Sequence, residues 1–190
     1  MDKIGEKIGF FAFFLTIMSV SSSPHPLLLG LCYLIHESGH LIFAKINGVG
    51  MNKLKIGSFR LSLSYDCSMV SYGKELLVCA GGIIFNLAFF LVFNFFKSKS
   101  EGISFFAFCN LSLALMNLYP ISTLDGGRIL KCLSMLLFNA KRAEQICRVC
   151  SFFFAFILWL CAVYLQLVFD SNVSLFFISV FLLVELCFSR

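Results

Sequence analysis

Long apolar stretches alternate with short polar ones along the whole chain. The apolar runs cover 8–22, 27–45, 75–96, 103–124, 150–168 and 173–188. A helix crossing the hydrocarbon core of a bilayer needs about 20 apolar residues. The pattern therefore predicts about six transmembrane helices, several of them short. The longest polar stretch, 46–74, has a different period. There Phe59, Leu61, Leu63 and Tyr65 alternate with Arg60, Ser62 and Ser64, the spacing of a half-buried strand. Residues 53–56 can pair with it across Gly57 and Ser58. The expected fold is an all-α polytopic membrane protein carrying one small β-hairpin. That hairpin is either an ordinary interfacial turn or an edge able to receive an extended peptide.

Composition strengthens this picture. Hydrophobic residues make up 59% of the 190 and charged residues 13%, against about 25% charged in a soluble domain. With 25 phenylalanines and a mean hydropathy of +0.93, the chain cannot cover its apolar surface in water. A soluble enzyme, a nucleic-acid binder and a secreted disulfide knot are excluded. The net charge of +5 sits between the apolar runs. With the N-terminus in the cytoplasm, every basic residue except Lys97 and Lys99 falls inside, as the positive-inside rule requires. Both termini and the hairpin are then cytoplasmic, in a multi-pass protein of the cell membrane. Nine cysteines without framework spacing predict no disulfide scaffold. The first run could instead be a cleaved signal peptide ending near Ser21, Ser22 and Ser23. The immediate return into an apolar span after Pro24 and Pro26 favours a retained hairpin of helices.

Ionisable residues inside a span are costly and usually functional. The second run contains His36-Glu37-Ser38-Gly39-His40, an H-E-x-x-H sequence. Positions i and i+4 share one face of a helix, so both imidazoles can reach one ion. Zinc suits imidazole nitrogen, and three protein ligands leave a position for water, whose proton the glutamate can take. A third ligand is needed. The acidic residues in or beside apolar runs are Glu75, Glu101, Asp125, Asp170 and Glu185. Asp125 stands out because Pro120, Gly126 and Gly127 interrupt the helix around it. Irregular backbone at membrane depth is tolerated where it lines a protein site or cavity. The plainer account of Asp125 is a helix cap at the membrane surface.

These residues resemble those of the site-2 proteases, intramembrane zinc metalloproteases. The run 36–40 is similar to their catalytic helix, and Leu124-Asp125-Gly126-Gly127 to their third-ligand motif. Gly81-Gly82-Ile83-Ile84-Phe85-Asn86 resembles the glycine-rich, asparagine-ending segment of the intervening span. The resemblance covers about 27–139 in motif order, and it lies nearest the compact branch that includes the sporulation sigma-factor-processing protease. It implies that His36, His40 and Asp125 bind zinc, that Glu37 is the catalytic base, and that Asn86 and Asn117 lie near the substrate. Thr123 stands where that branch usually has proline, so the resemblance does not fix the shape of the break near Asp125. The implied activity is cleavage of a transmembrane or membrane-associated protein. The whole of 1–190 reads as one metalloprotease domain, with the helices 8–22, 150–168 and 173–188 added to the core and no appended soluble domain.

Other features carry less chemistry. Cys147 and Cys150 form a lone C-x-x-C at a span boundary, best read as packing thiols. His25 sits between prolines, and Glu185 lies near enough to the last span's end to snorkel. The expected partners are the protein substrate and the bilayer, with a second copy or a regulatory membrane protein left open. A non-proteolytic membrane protein, either an inactive protease-like scaffold or a metal transporter, is the rival reading. A transporter would distribute its ionisable groups along a path, and an inactive scaffold would lose the glutamate or a ligand.

Overall fold

The computed structural model describes residues 26–49, 54–57, 60–63, 71–95, 101–169 and 174–188. The run 8–22, and with it the choice between a first span and a signal peptide, lies outside the described residues. In chain order the elements are α1 (Pro26–Ile46), β1 (Leu54–Gly57), β2 (Arg60–Leu63), α2 (Tyr72–Phe95), α3 (Glu101–Leu118), α4 (Asp125–Leu137), α5 (Ala140–Phe169) and α6 (Ser174–Phe188). The described fold is overwhelmingly helical.

Four of these helices, α1, α2, α3 and α5, are long and apolar enough to cross a membrane, and α6 is a shorter apolar helix. The count of about six spans is therefore not reached among the described residues. Two boundaries also differ from the apolar pattern, for identifiable reasons. The apolar run 103–124 does not make one helix. Pro120 has no N–H to give and disfavours helix at the residue before it, so α3 stops at Leu118. A separate 13-residue helix, α4, starts at Asp125. At 1.5 Å per residue α4 is about 20 Å long, too short to span. In the other direction, α5 begins ten residues before its apolar run. Lys141, Arg142, Glu144 and Gln145 are good helix formers and continue it outward to 30 residues, about 45 Å. Its polar first turns therefore extend beyond the hydrocarbon core.

Within the polar stretch, Leu54–Gly57 and Arg60–Leu63 pair antiparallel, with Lys55 opposite Ser62 and Gly57 opposite Arg60. Residues 59, 64 and 65 of the alternation lie outside the described residues. Only two residues connect the strands.

Helix α2 is the hub. It packs on α1, α3 and α4, while α4 leads into α5, and α5 pairs with α6. Buried apolar groups gather on either side of the middle of α1. Cys32, Phe106 and Cys109 pack with Phe89 and Phe93 on one side, and Ala44, Val49 and Val78 on the other. A further cluster of Ile121, Ala155, Leu158, Leu182 and Leu186 anchors the segment before α4 against α5 and α6. Large apolar side chains such as Leu91, Phe108, Phe153 and Leu167 stay exposed. Water would not tolerate so much apolar surface; lipid does. The chain is a multi-pass membrane protein.

Candidate metal centre

Residues 36–40 sit in the middle of α1, where the helical period turns His36 and His40 to the same side. Both are buried and their rings meet edge to face, with centroids 4.8 Å apart. Gly39, between them, lies against Gly81 of α2 with no side chain intervening, so the two helices touch backbone to backbone. That contact brings α2's own groups to the histidines. His40 donates its Nδ1–H to the carbonyl oxygen of Val78 at 2.8 Å. The Nδ1 of His36 faces the side-chain amide of Asn86 at 3.2 Å. Gly82 sits directly beneath the pair.

The opposite wall comes from the break between α3 and α4. The segment after Leu118 folds back over the first turn of α4, and side chains on Gly126 and Gly127 would collide with the carbonyls of Leu118 and Ile121. The two glycines therefore exist for a close approach. Leu124 is the N-cap of this helix and provides no side-chain capping hydrogen bond. Buried Ser151 of α5 holds the break from outside, accepting the Ser122 N–H at 3.0 Å and donating to the Pro120 carbonyl at 3.5 Å. This packing delivers the Asp125 carboxylate into the bundle, where it is buried.

Three ligand atoms converge as a result. Asp125 Oδ2 lies 2.8 Å from His36 Nε2 and 3.1 Å from His40 Nε2, and the two Nε2 atoms are 3.2 Å apart. In a tetrahedral zinc site with bonds near 2.0 Å, ligand atoms stand roughly 3.3 Å from one another. The spacing here is close to that. The donor chemistry also fits. His40 has its Nδ1 proton committed to Val78, so in its neutral form Nε2 presents a lone pair beside a carboxylate oxygen, two acceptors that a shared cation would satisfy. The space fits as well: a β-carbon on Gly82 would fall 2.5 Å from His40 Nε2 and 2.8 Å from His36 Nε2. Glycine keeps clear the volume that an ion and a further ligand require.

Of the residues singled out in the sequence, His36, His40 and Asp125 are the group able to hold a metal among the described residues. Glu37 is half-buried on the same turn of α1. Asn86 is completely buried against His36, whereas Asn117 is half-buried and donates its amide to the Leu113 carbonyl one turn back in its own helix. The competing acids go elsewhere. Glu75 pairs with Arg128 at 3.9 Å, Glu101 opens α3 at the surface, and Glu185 is half-buried on α6. Asp170 lies outside the described residues. Cys147 and Cys150 are partly exposed free thiols. Three contributors escape a reading of the sequence: the Val78 carbonyl, which no side-chain pattern marks, the clearance at Gly82, and Ser151. A serine inside the run 150–168 is the available signal for the last.

A sequence model of peptidase family M50 matches residues 97–160, a segment that holds Asp125 and its glycines but leaves out the histidine pair. In fold the chain is similar to the site-2 protease from Methanocaldococcus jannaschii, with a TM-score of 0.61 over 94% of this chain and 86% of that one, at 22% identity. No curated protein matches the chain. The class is thus a polytopic membrane protein of site-2 protease fold. Over residues 97–160 its sequence is similar to peptidase family M50.

Proposed function

We propose that this chain is an intramembrane zinc metalloendopeptidase that cleaves a transmembrane or membrane-associated protein. The observation that carries the proposal is the convergence of His36 Nε2, His40 Nε2 and Asp125 Oδ2 within 3.2 Å of one another. It lies in a membrane-spanning fold, beside a glutamate in H-E-x-x-H spacing. His36, His40 and Asp125 would hold the ion. When bound, zinc supplies Lewis-acid chemistry, polarising a carbonyl and making water acidic enough to lose a proton near neutral pH.

The chain's own residues do the rest. Glu37 takes the proton from the attacking water and returns it to the leaving amine. The buried walls formed by α2 and the 119–124 break shield these charges from bulk water and so strengthen their interactions. A substrate helix must open first, because its amides are hydrogen-bonded and covered. Asn117, on the last turn before the break, is assigned to the substrate side, and the edge of the β1–β2 ladder offers an extended segment a place to pair. We also assign both termini to the cytoplasm, from the distribution of Lys and Arg.

The test is cleavage of a single-span substrate by the detergent-solubilised chain. Activity that a chelator abolishes and zinc restores supports the proposal. Stoichiometric zinc without cleavage of any span-containing substrate, or cleavage indifferent to chelator, overturns it.

A further inference from the structure

Helix α2 holds both histidines from behind, but with two different kinds of group. Behind His40 is the Val78 carbonyl, which can only accept. His40 must therefore carry a proton on Nδ1, and in its neutral form its Nε2 lone pair is directed at Asp125. Behind His36 is the Asn86 amide, which can accept through Oδ1 or donate through Nδ2, and whose two ends exchange by a half-turn. With Nδ2 towards the ring, His36 is held as its Nε2–H form, which suits a hydrogen bond to Asp125. With Oδ1 towards the ring, it is held as its Nδ1–H form. Only the second leaves His36 Nε2 free to bind an ion. The Asn86 side chain is 0% exposed, and its Oδ1 has no hydrogen-bond partner among the described residues. No other contact of Oδ1 would be broken by the turn.

We infer that Asn86 is a positioning residue for the metal centre: its Oδ1 accepts the Nδ1–H of His36 and fixes the ring in the tautomer that presents Nε2 to zinc. The two histidines are then oriented alike, each donating its outer N–H to α2, the arrangement by which protein groups set the basicity and direction of metal-bound imidazoles. This inference rests on the zinc reading above.

The experiment measures zinc affinity of the full chain in detergent by competition with a chelator, for the wild type, Asn86→Leu and Asn86→Asp. Leucine keeps the volume and removes the acceptor; aspartate keeps the acceptor and removes the donor. The leucine variant should bind zinc about 10- to 100-fold more weakly, and the aspartate variant at least as tightly as wild type. In parallel, nitrogen-15 histidine spectra of the zinc-loaded wild type should show His36 protonated at Nδ1 and metal-bound at Nε2. That measurement decides the matter even if a variant fails to fold. Equal affinity in all three proteins overturns the inference, as does equal weakening in both variants, which marks a packing role. Zinc bound to His36 through Nδ1 overturns it too. In each of these outcomes the wild type still binds zinc, so the proposed function stands; a wild type that binds none overturns both.

Discussion

A β-carbon on Gly39 would sit 2.5 Å from the carbonyl oxygen of Gly81, and one on Gly81 would sit 2.7 Å from that of Gly39. The obstacle in each case is backbone, which cannot swing aside like a side chain. Gly39→Ala or Gly81→Ala should therefore push α1 and α2 apart and withdraw Val78 and Asn86 from the histidines. Overpacking of this kind costs about 1–3 kcal/mol. Both variants should melt lower and bind zinc less tightly, although neither residue offers a ligand. Gly30, where an added β-carbon would meet no neighbouring element within 4 Å, is the control; Gly30→Ala should bind zinc as wild type does and melt no lower, since alanine is the better helix former.

Removing a ligand should remove the metal. Purified chain is expected to hold one zinc, and His36→Ala, His40→Ala and Asp125→Ala should each lose most of it, because a two-ligand remnant is a poor site. Metal analysis of the purified variants checks this. Wild-type zinc content in Asp125→Ala would exclude that carboxylate as a ligand.

Glu37→Gln preserves size and hydrogen-bonding reach while removing the ability to take a proton. Zinc content should be unchanged and cleavage should fall by at least about 10²-fold, the lower end for general acid–base catalysis. Metal and turnover should be measured on the same preparation, so that a drop in activity is not a drop in loading.

Ser151 touches no expected ligand, yet it ties the break before Asp125 to α5. Ser151→Ala leaves the Ser122 N–H without its acceptor, a loss of about 0.5–1.5 kcal/mol for a hydrogen bond that is only partly buried. We expect a lower melting temperature together with weaker zinc binding. A variant that melts lower yet binds zinc as wild type does would show that Asp125 is placed without this anchor.

The β1–β2 register separates two effects of proline. A two-residue connection makes Gly57 and Arg60 a hydrogen-bonded pair, so the alternation of an antiparallel ladder also bonds Ser62 to Lys55 and turns the Leu61 and Leu63 N–H groups outward. If a substrate pairs along the outer edge of β2, Leu61→Pro and Leu63→Pro should reduce cleavage with the hairpin intact. Ser62→Pro should disturb the ladder itself, and Ser62→Ala should change little. Wild-type cleavage by Leu61→Pro and Leu63→Pro would exclude that edge as a substrate strand.

The part of the site legible in the sequence is the part carried by side chains at short range. Histidines four apart share a helical face whatever surrounds them, so His36 and His40 can be paired from spacing alone. Asp125 can be singled out because Pro120, Gly126 and Gly127 mark broken backbone. Its arrival at the histidines depends on α2 touching α1 and α4 at once, a tertiary fact. The helix ends are less legible for the same reason. Apolar content continues through 119–124 although the backbone stops being helical, and α5 runs on through polar residues that hydropathy assigns to the exterior. What the histidines lean on is least visible, since a backbone carbonyl such as Val78's has no signature in sequence.

His36 and Asp125 stand 89 residues apart in the chain. An ion shared between them closes a loop of that length, and by the (3/2)RT ln n scaling such a closure removes about 4 kcal/mol of conformational entropy from an unfolded chain. The order of synthesis matters as much as the entropy. The ribosome makes α1 first and α4 fourth among these helices, so the histidine pair enters the bilayer before its carboxylate partner has been made. A partly made chain lacks a complete ligand set, so the proposed activity would be withheld until the bundle around α2 has assembled.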